Sequence, residues 1–364
     1  MNKIYIVGAH SRGRTLAHYL CYLDSEVSVE AYLYDNEEDN PSNIDGVPVI
    51  HFDETTKLNT DYPVYIGTRG VFHATIIEKL TRIGMKDIRP VTVELDLKLR
   101  NAYLKRHFFS VGRAYTKIVD LEAPEEVVVG ESLVLPSARV YVAKSIFDKA
   151  LQESYSLATY EREIQVGAAL TDKRLAENIL VDNIGDNISE KNKQFCELTA
   201  LYWIWKNAEE DYVGLVHYRR HFLLPENWLQ RVVENEVDVI LPVPLYVVPS
   251  LEDNYRSRHD EVDLDYLFSY IKQNDAADYD SLRDFWQGGL YSPCNMFIAR
   301  KEVLSDLCDW LFPILEAVVA HGGEKEDTYL NRYPGFLSER LISYFFEKNR
   351  EKYKVVYADK NFLQ

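Results

Sequence analysis

The 364-residue sequence predicts an α/β protein with two open sheets. Short β-branched runs alternate with segments whose apolar residues recur at helical spacing, the pattern of parallel strands joined by right-handed crossover helices. That pattern occurs twice, on either side of a proline-marked break. At roughly 150 residues per domain, the length suits two cores that need no staples.

Lys3–Gly8 reads as a strand, Thr15–Leu23 as a helix and Val27–Tyr34 as a second strand ending at Asp35. After the turn-rich residues 36–45 come strands over Val47–Ile50 and Tyr62–Gly67, a helix around Phe72–Ile83 and a closing strand over Asp87–Val91. These elements make a first domain over residues 1–95. Residues 96–137 read as a connector. Its first part, Asp96–Tyr115, mixes Lys98, Arg100, Lys105, Arg106, His107 and Arg113 with Leu97, Leu99, Tyr103, Leu104, Phe108 and Phe109. Such a stretch is either a solvated helix at the domain junction or a face for anionic lipid headgroups. Thr116–Ser137, which holds Ala123-Pro124-Glu125-Glu126, reads as the linker proper.

The second domain, residues 138–364, opens on a strand at Arg139–Ala143. Ser189 is placed to cap a helix over Glu190–Asn207. Strands follow at Tyr212–His217, Val237–Pro242 and Cys294–Ala299, then helices over Glu302–His321 and Phe336–Lys348 and a last strand at Lys354–Tyr357. Pro313 is expected to kink or break the first of those two helices.

Charge narrows the function. The chain carries 41 Lys+Arg against 58 Asp+Glu, a net −17, which disfavours binding to nucleic acid. Residues 1–120 hold 15 basic and 16 acidic groups, so the acidity belongs to the second domain. The four cysteines form no C-x-x-C pair, and no run of about 18 apolar residues marks a membrane span, so a reduced, cytoplasmic protein is expected. The 26 tyrosines serve as core filler or as platforms for sugar rings.

In the first domain, Ile4-Tyr5-Ile6-Val7 runs into the turn Gly8-Ala9-His10-Ser11-Arg12-Gly13 and then a helix. Gly8 permits the turn, Gly13 permits close packing, and free N–H groups at the helix start attract an anion. Gly8, His10, Ser11, Arg12 and Gly13 are the candidate nucleotide contacts, and Asp35 is placed for a ribose hydroxyl. His10 stands where the middle glycine of a dinucleotide fingerprint would be, and Arg14 stands where a Walker loop needs lysine. With Tyr34-Asp35-Asn36 and Ile44-Asp45-Gly46-Val47-Pro48-Val49, the segment resembles the Rossmann-like N-terminal domain of bacterial nucleotide-sugar acyltransferases. The resemblance covers residues 1–90 and implies a nucleotide or nucleotide-sugar site without acyl transfer, since no hexapeptide repeat follows.

The densest constellation is Asp211-Tyr212-Val213-Gly214-Leu215-Val216-His217-Tyr218-Arg219-Arg220-His221-Phe222. An apolar strand delivers His217, Tyr218, Arg219 and Arg220 at its carboxyl end, where open α/β sheets bind ligands. Adjacent guanidiniums repel each other, so they serve best opposite a diphosphate; the alternative is an exposed pair with acidic neighbours. Asn295 before an apolar strand suits sugar hydroxyls or the stabilising of a turn. Candidate bases are His259, Asp260, Asp263, Glu339 and His217. Asp263-x-Asp265 is a rival metal pair, although its place in a helical run favours solvation.

In order and spacing, Asp186-Asn187-Ile188-Ser189, Cys196–Asn207, the His217–Arg220 run, His259, Asp263, Asn295-Met296-Phe297-Ile298 and Gly335–Leu341 resemble a bacterial family of capsular and exopolysaccharide glycosyltransferases, formerly a domain of unknown function. Some members transfer galactofuranose. The resemblance spans about Arg139 to Tyr357. It implies a GT-A-like fold and transfer of a hexose from a UDP-sugar donor to a lipid-linked oligosaccharide, at the inner face of the membrane. By the same resemblance His259, Asp263, Glu339 and His217 are catalytic candidates, and Asp186, Asn187, Tyr218, Arg219, Arg220, Asn295 and Arg340 substrate-binding ones. With no Asp-x-Asp at the strand end, Arg219 and Arg220 are expected to replace a metal, and no cofactor is required. Peripheral membrane contact and a homo-oligomer are compatible with this reading. The chain departs from its relatives at Tyr141-Val142-Ala143-Lys144-Ser145, where they carry a Thr-His-Lys-like ending. Two rivals are an NAD-dependent nucleotide-sugar oxidoreductase or epimerase, and a non-enzymatic nucleotide-sugar-binding regulator.

Overall fold

A computed structural model describes residues 2–37, 39–53, 55–122, 135–152 and 154–363. The chain is α/β. It divides into two compact units, Met1–Tyr115 with Tyr246–Val248, and Thr116–Leu245 with Pro249–Gln364. The stretch 96–115 therefore lies in the first unit. Residues 123–134 of the expected linker, Ala123-Pro124-Glu125-Glu126 included, fall outside the described residues.

The first unit runs β1 (Asn2–Val7), α1 (Ser11–Leu23), β2 (Val27–Tyr34), β3 (Asn43–Ile44), β4 (Val47–His51), β5 (Val64–Ile66), α2 (His73–Arg82), β6 (Ile88–Pro90) and α3 (Val93–Ser110). The sheet order is β3-β4-β2-β1-β5-β6, parallel except for β3 against β4. The chain order of the strands reverses between β1 and β5. One face packs Tyr5, Val7, Leu33, Val64 and Leu80, and the other packs Ile4, Ile6, Leu16, Ala17 and Tyr32, so both faces are covered. Two glycines set the turn after β1. Gly8 has φ +113, and a Cβ on Gly13 would lie 1.9 Å from the Gly8 carbonyl oxygen, so α1 can start this close to the sheet only with glycine at both places. Helix α3 is capped by Thr92, whose hydroxyl accepts from the Leu95 N–H at 3.2 Å.

The second unit begins with β7 (Ala138–Lys144), β8 (Glu161–Gln165) and β9 (Leu180–Val181), then α4 (Asn192–Phe195), α5 (Leu198–Asn207), β10 (Tyr212–His217), α6 (Trp228–Glu234) and β11 (Val239–Pro242). There follow β12 (Leu245–Tyr246, its second residue belonging to the first unit), α7 (Leu251–Arg256), α8 (Glu261–Asn274), α9 (Ala276–Gln287), β13 (Leu290–Tyr291), β14 (Phe297–Arg300), α10 (Lys301–Gly322), α11 (Tyr333–Lys348) and β15 (Val355–Ala358). The main sheet has the order β15-β11-β14-β10-β7-β8-β9. β14 is antiparallel to both neighbours and the other pairings are parallel. Because β14 runs against β10, the loop entering β14 meets the carboxyl end of β10. Gly214 makes this approach possible, since a Cβ there would stand 2.8 Å from the Phe297 carbonyl oxygen.

Two local expectations are corrected. The helix expected over Glu190–Asn207 is split into a 3-10 turn at Ser189–Lys191, α4 and α5, with Cys196 between them at φ +49. Ser189 does not cap it; its hydroxyl donates to Asp182 at 2.5 Å. Pro313 lies inside α10 and does not end it. Its missing N–H is tolerated because Pro313 and Asp309, whose carbonyl it leaves free, lie on the exposed side, while Leu307, Leu311 and Leu315 on the other side are fully enclosed and hold the helix together.

Candidate functional site

Three loops and one helix start converge at the carboxyl end of β10. β10 turns immediately after His217, whose N–H donates to the Arg220 carbonyl at 3.2 Å while the Arg220 N–H donates back at 3.0 Å. The Tyr218 N–H donates to Ala143 on β7 at 3.1 Å, which ties the turn to the neighbouring strand. His221 then anchors it from below. Its Nδ1 lies 2.8 Å from Glu161, and both side chains are almost fully buried. Residues 219–223 pair with the C-terminal segment, through Leu363 N–H to Arg219 O and Leu223 N–H to Asp359 O, both at 2.8 Å.

This turn presents Arg219 and Arg220. Among the described residues, no carboxylate forms an ion pair with either guanidinium, and Arg219 Nε is buried without a hydrogen-bond partner. Arg219 lies over the Tyr218 ring at 5.1 Å, and Arg220 over Phe362 at 5.2 Å. Two adjacent cations held in this way can receive an anion from outside the chain.

Facing them is the loop Cys294-Asn295. Both residues adopt positive φ, +81 and +50, a strained conformation held by its surroundings. Asn295 is buried and its amide is satisfied within the fold: Nδ2 donates to Glu197 at 2.8 Å and to the Gly335 carbonyl at 3.1 Å, while Oδ1 accepts from Ser338 at 2.7 Å. Its place is thus in the turn, with no donor left for a sugar. His217 Nε2 lies 2.5 Å from the Cys294 carbonyl, so that nitrogen carries the proton and donates. Burial holds the His217 imidazole below its ordinary proton affinity, against the attraction of Glu197 at 3.9 Å.

Two carboxylates border this loop. Glu197 follows the strained Cys196 and was not singled out in the sequence. Glu339, nearly two turns into α11, accepts the Cys294 N–H at 2.9 Å and lies 3.5 Å from Arg340. Burial raises its proton affinity above that of an ordinary glutamate, with Arg340 opposing and Glu197 adding to the rise. A third carboxylate, Asp148, caps the Ser145 turn after β7 at 2.7 Å. Burial raises its proton affinity while His217 and Arg219 oppose.

The remaining candidates sit differently. Asp263 is buried and ion-paired with Lys325, which also holds Asp260 at 2.9 Å. Asp265 instead meets Arg256 at 2.6 Å. The two carboxylates of Asp263-x-Asp265 are thus engaged by different cations and do not form a chelating pair. His259 stacks on Phe336 at 4.1 Å, and burial with Arg340 and Arg258 nearby pushes its imidazole down to about 3, far from the range of an effective base. The Arg340 guanidinium is buried, donating to Phe336 O at 2.8 Å and Asn254 at 3.2 Å. Asp186 and Asn187 shape the turn ahead of α4, through Tyr202, Asn207 and Ser189. In the first unit, His10 and Arg12 are exposed at the turn after β1, Ser11 begins α1, and Asp35 is ion-paired with Lys79 at 2.8 Å. Thr68, beside Gly8, has a buried hydroxyl with no partner.

Asp182 fixes the position of Glu197. This fully buried carboxylate accepts from Gly167 N–H (2.9 Å), Ala168 N–H (3.0 Å), Ser189 Oγ (2.5 Å) and Thr199 Oγ1 (2.7 Å). Asp182→Ala strands four donors and is expected to cost about 3 kcal/mol or more. Urea denaturation measures it, and a midpoint equal to that of the unaltered chain would contradict the assignment.

The family model for a domain of unknown function, DUF4422, matches residues 152–350, more than half of the chain. The chain belongs to the DUF4422 family. The matched DUF4422 region contains His217, Arg219, Arg220, Cys294, Asn295 and Glu339, but not β7 and Asp148. Among solved structures the chain is similar to the WbbM bifunctional glycosyltransferase in its apo form, at 26% identity and a TM-score of 0.54. The alignment covers 63% of this chain and 45% of that one, so the DUF4422 chain spans less than half of WbbM. No curated protein matches it.

Proposed function

We propose that the protein is a glycosyltransferase that moves a hexose from a UDP-sugar to a growing, lipid-linked glycan. The observation that carries this is the pair Arg219 and Arg220 at a strand end, without carboxylate partners among the described residues. The likeness to WbbM supports the reaction class. Galactofuranose or galactose as the transferred sugar, surface-polysaccharide synthesis and a cytoplasmic place of work come from the sequence resemblance alone.

The residues suggest a consistent division of labour. As the acceptor hydroxyl attacks the anomeric carbon, Glu339 takes its proton and the bond to the diphosphate breaks with its electron pair onto the phosphate. Arg219 and Arg220 neutralise the charge that develops there. Glu197 and the Cys294-Asn295 loop hold Glu339 and His217 in place. Each carboxylate already accepts one hydrogen bond, and Glu339 is preferred to Glu197 as base because its raised proton affinity brings it nearer to working pH.

UDP release from a panel of UDP-hexoses, with and without EDTA, tests the proposal. Release from one donor, stimulated by acceptor glycan and unchanged by EDTA, is the expected outcome. Inhibition by EDTA that manganese reverses would overturn the metal-free role of the arginines, and no turnover of any donor would leave the regulator as the better reading.

The first unit supports a second reading, a separate nucleotide site at its switch point. The orphaned Thr68 hydroxyl beside Gly8 favours it. UDP or NAD is expected to raise the thermal midpoint of the intact chain, an effect that Thr68→Val reduces and Arg219→Ala does not.

A further inference from the structure

The basic stretch of the first unit is largely helical, within the helix α3. Helix α3 buries Tyr103, Leu104 and Phe108 against the unit. Its outer side carries Lys98, Ala102, Lys105 and Phe109, all exposed and spaced at helical intervals along one stripe. Phe109 is 82% exposed and Val111, just past the helix end, 54%. Residues 97–115 contain five Lys+Arg and no acidic residue, in a chain of net charge −17. The acidic residues of α3, Glu94 and Asp96, lie at its other end, and Asp96 is ion-paired with Arg100. Arg106 turns aside to donate to the Leu23 carbonyl at 2.8 Å, near the exposed Asp24 and Glu26. Lys98 and Lys105 form no ion pair among the described residues.

We infer that the carboxyl-terminal end of α3 docks on an anionic lipid surface, with Phe109 and Val111 entering the interface and Lys98 and Lys105 meeting headgroup phosphates. The geometry fits. Lys98, Lys105 and Phe109 lie on one stripe at whole-turn spacing, so a helix lying in the interface plane brings all three to the headgroup region together. Duplex nucleic acid would use the cations but neither apolar group, and a single strand, which could stack a base on Phe109, would gain nothing from Val111 and is repelled by a chain of net charge −17; a membrane uses the cations and both apolar groups. The inference stands apart from sugar transfer, because its test reads binding alone.

The test is co-sedimentation of the full chain with vesicles of phosphatidylcholine, alone or mixed with phosphatidylglycerol. The protein is expected to partition onto the mixed vesicles only, and less so as salt rises. Lys98→Gln with Lys105→Gln should weaken partitioning about thirtyfold, and Phe109→Asp should abolish it. Both variants alter exposed side chains, so their thermal midpoints should match the unaltered chain and confirm folding. Equal binding to neutral vesicles, no binding to anionic ones, or undiminished binding by Phe109→Asp would overturn the inference. Displacement from vesicles by an oligonucleotide that binds Phe109→Asp equally well would overturn it too, and assign the patch to polyanions.

Discussion

Arg219→Ala and Arg220→Ala are each expected to lower the turnover of sugar transfer by about 10²–10³-fold, the usual cost of removing one group that stabilises charge developing in a transition state. Donor KM should rise as well, since the diphosphate is charged before the bond breaks. Lysine at either position restores the charge but not the planar fork, so Arg219→Lys should recover only part of the loss. The stability readout separates this role from a structural one. Neither arginine has a carboxylate partner among the described residues, and Arg219 Nε has no acceptor at all, so truncation breaks no ion pair and removes one of two adjacent cations. The thermal midpoint of each variant should equal or exceed that of the unaltered chain. A midpoint that falls together with activity would assign the pair to folding, and turnover unchanged in both variants would end the transferase reading. The effects of the two truncations should fall short of additive in the double variant, because both act on one leaving group.

Local pattern made β10 legible in the sequence, residue for residue, because an apolar β-branched run bounded by Asp211 and Tyr218 admits few alternatives. The same holds for β2, and the other expected strands and helices differ mostly by a few residues at their ends, whereas β3, β8, β9, α6, β12, α7, α9 and β13 carried no expectation. What was not legible depends on distant partners. The break at Cys196 is imposed where Asp182 gathers donors from Gly167, Ala168, Ser189 and Thr199, a network that no periodicity reports. Glu197 joins the site through Asn295, 98 positions away, and Asp148 through the parallel pairing of β7 with β10. The arginine pair was visible as a motif, but its lack of acidic partners, which turns the motif into an argument, is a property of the folded surroundings. Conversely, Asn295 looks available in the sequence and is satisfied inside the fold, while Arg340 is buried with two nitrogens engaged by Phe336 and Asn254 and its Nε without a partner.

Glu339→Gln is expected to abolish most activity while making the protein more stable at neutral pH. Burial raises the proton affinity of Glu339 in the native state above its unfolded value, so folding favours the protonated form. That favourable contribution is complete below the unfolded value and is lost as pH rises through the native one. Above that window the native chain holds a charge it would sooner discharge. Glutamine keeps the oxygen that accepts the Cys294 N–H and carries no charge, so its advantage in urea denaturation should appear at about pH 8 and vanish at about pH 4. The activity has the opposite sign. Only the carboxylate accepts a proton, so turnover should rise with pH along a limb whose midpoint lies above the ordinary glutamate range, and the variant should lose both that limb and about 10²–10⁴-fold in kcat. Donor KM should change little, because Arg219 and Arg220 remain. A variant that keeps its turnover would transfer the base to another group, with Glu197 the next to alter. Equal destabilisation at both pH values would mean that the contact with the Cys294 loop, and not the charge, is what Glu339 supplies.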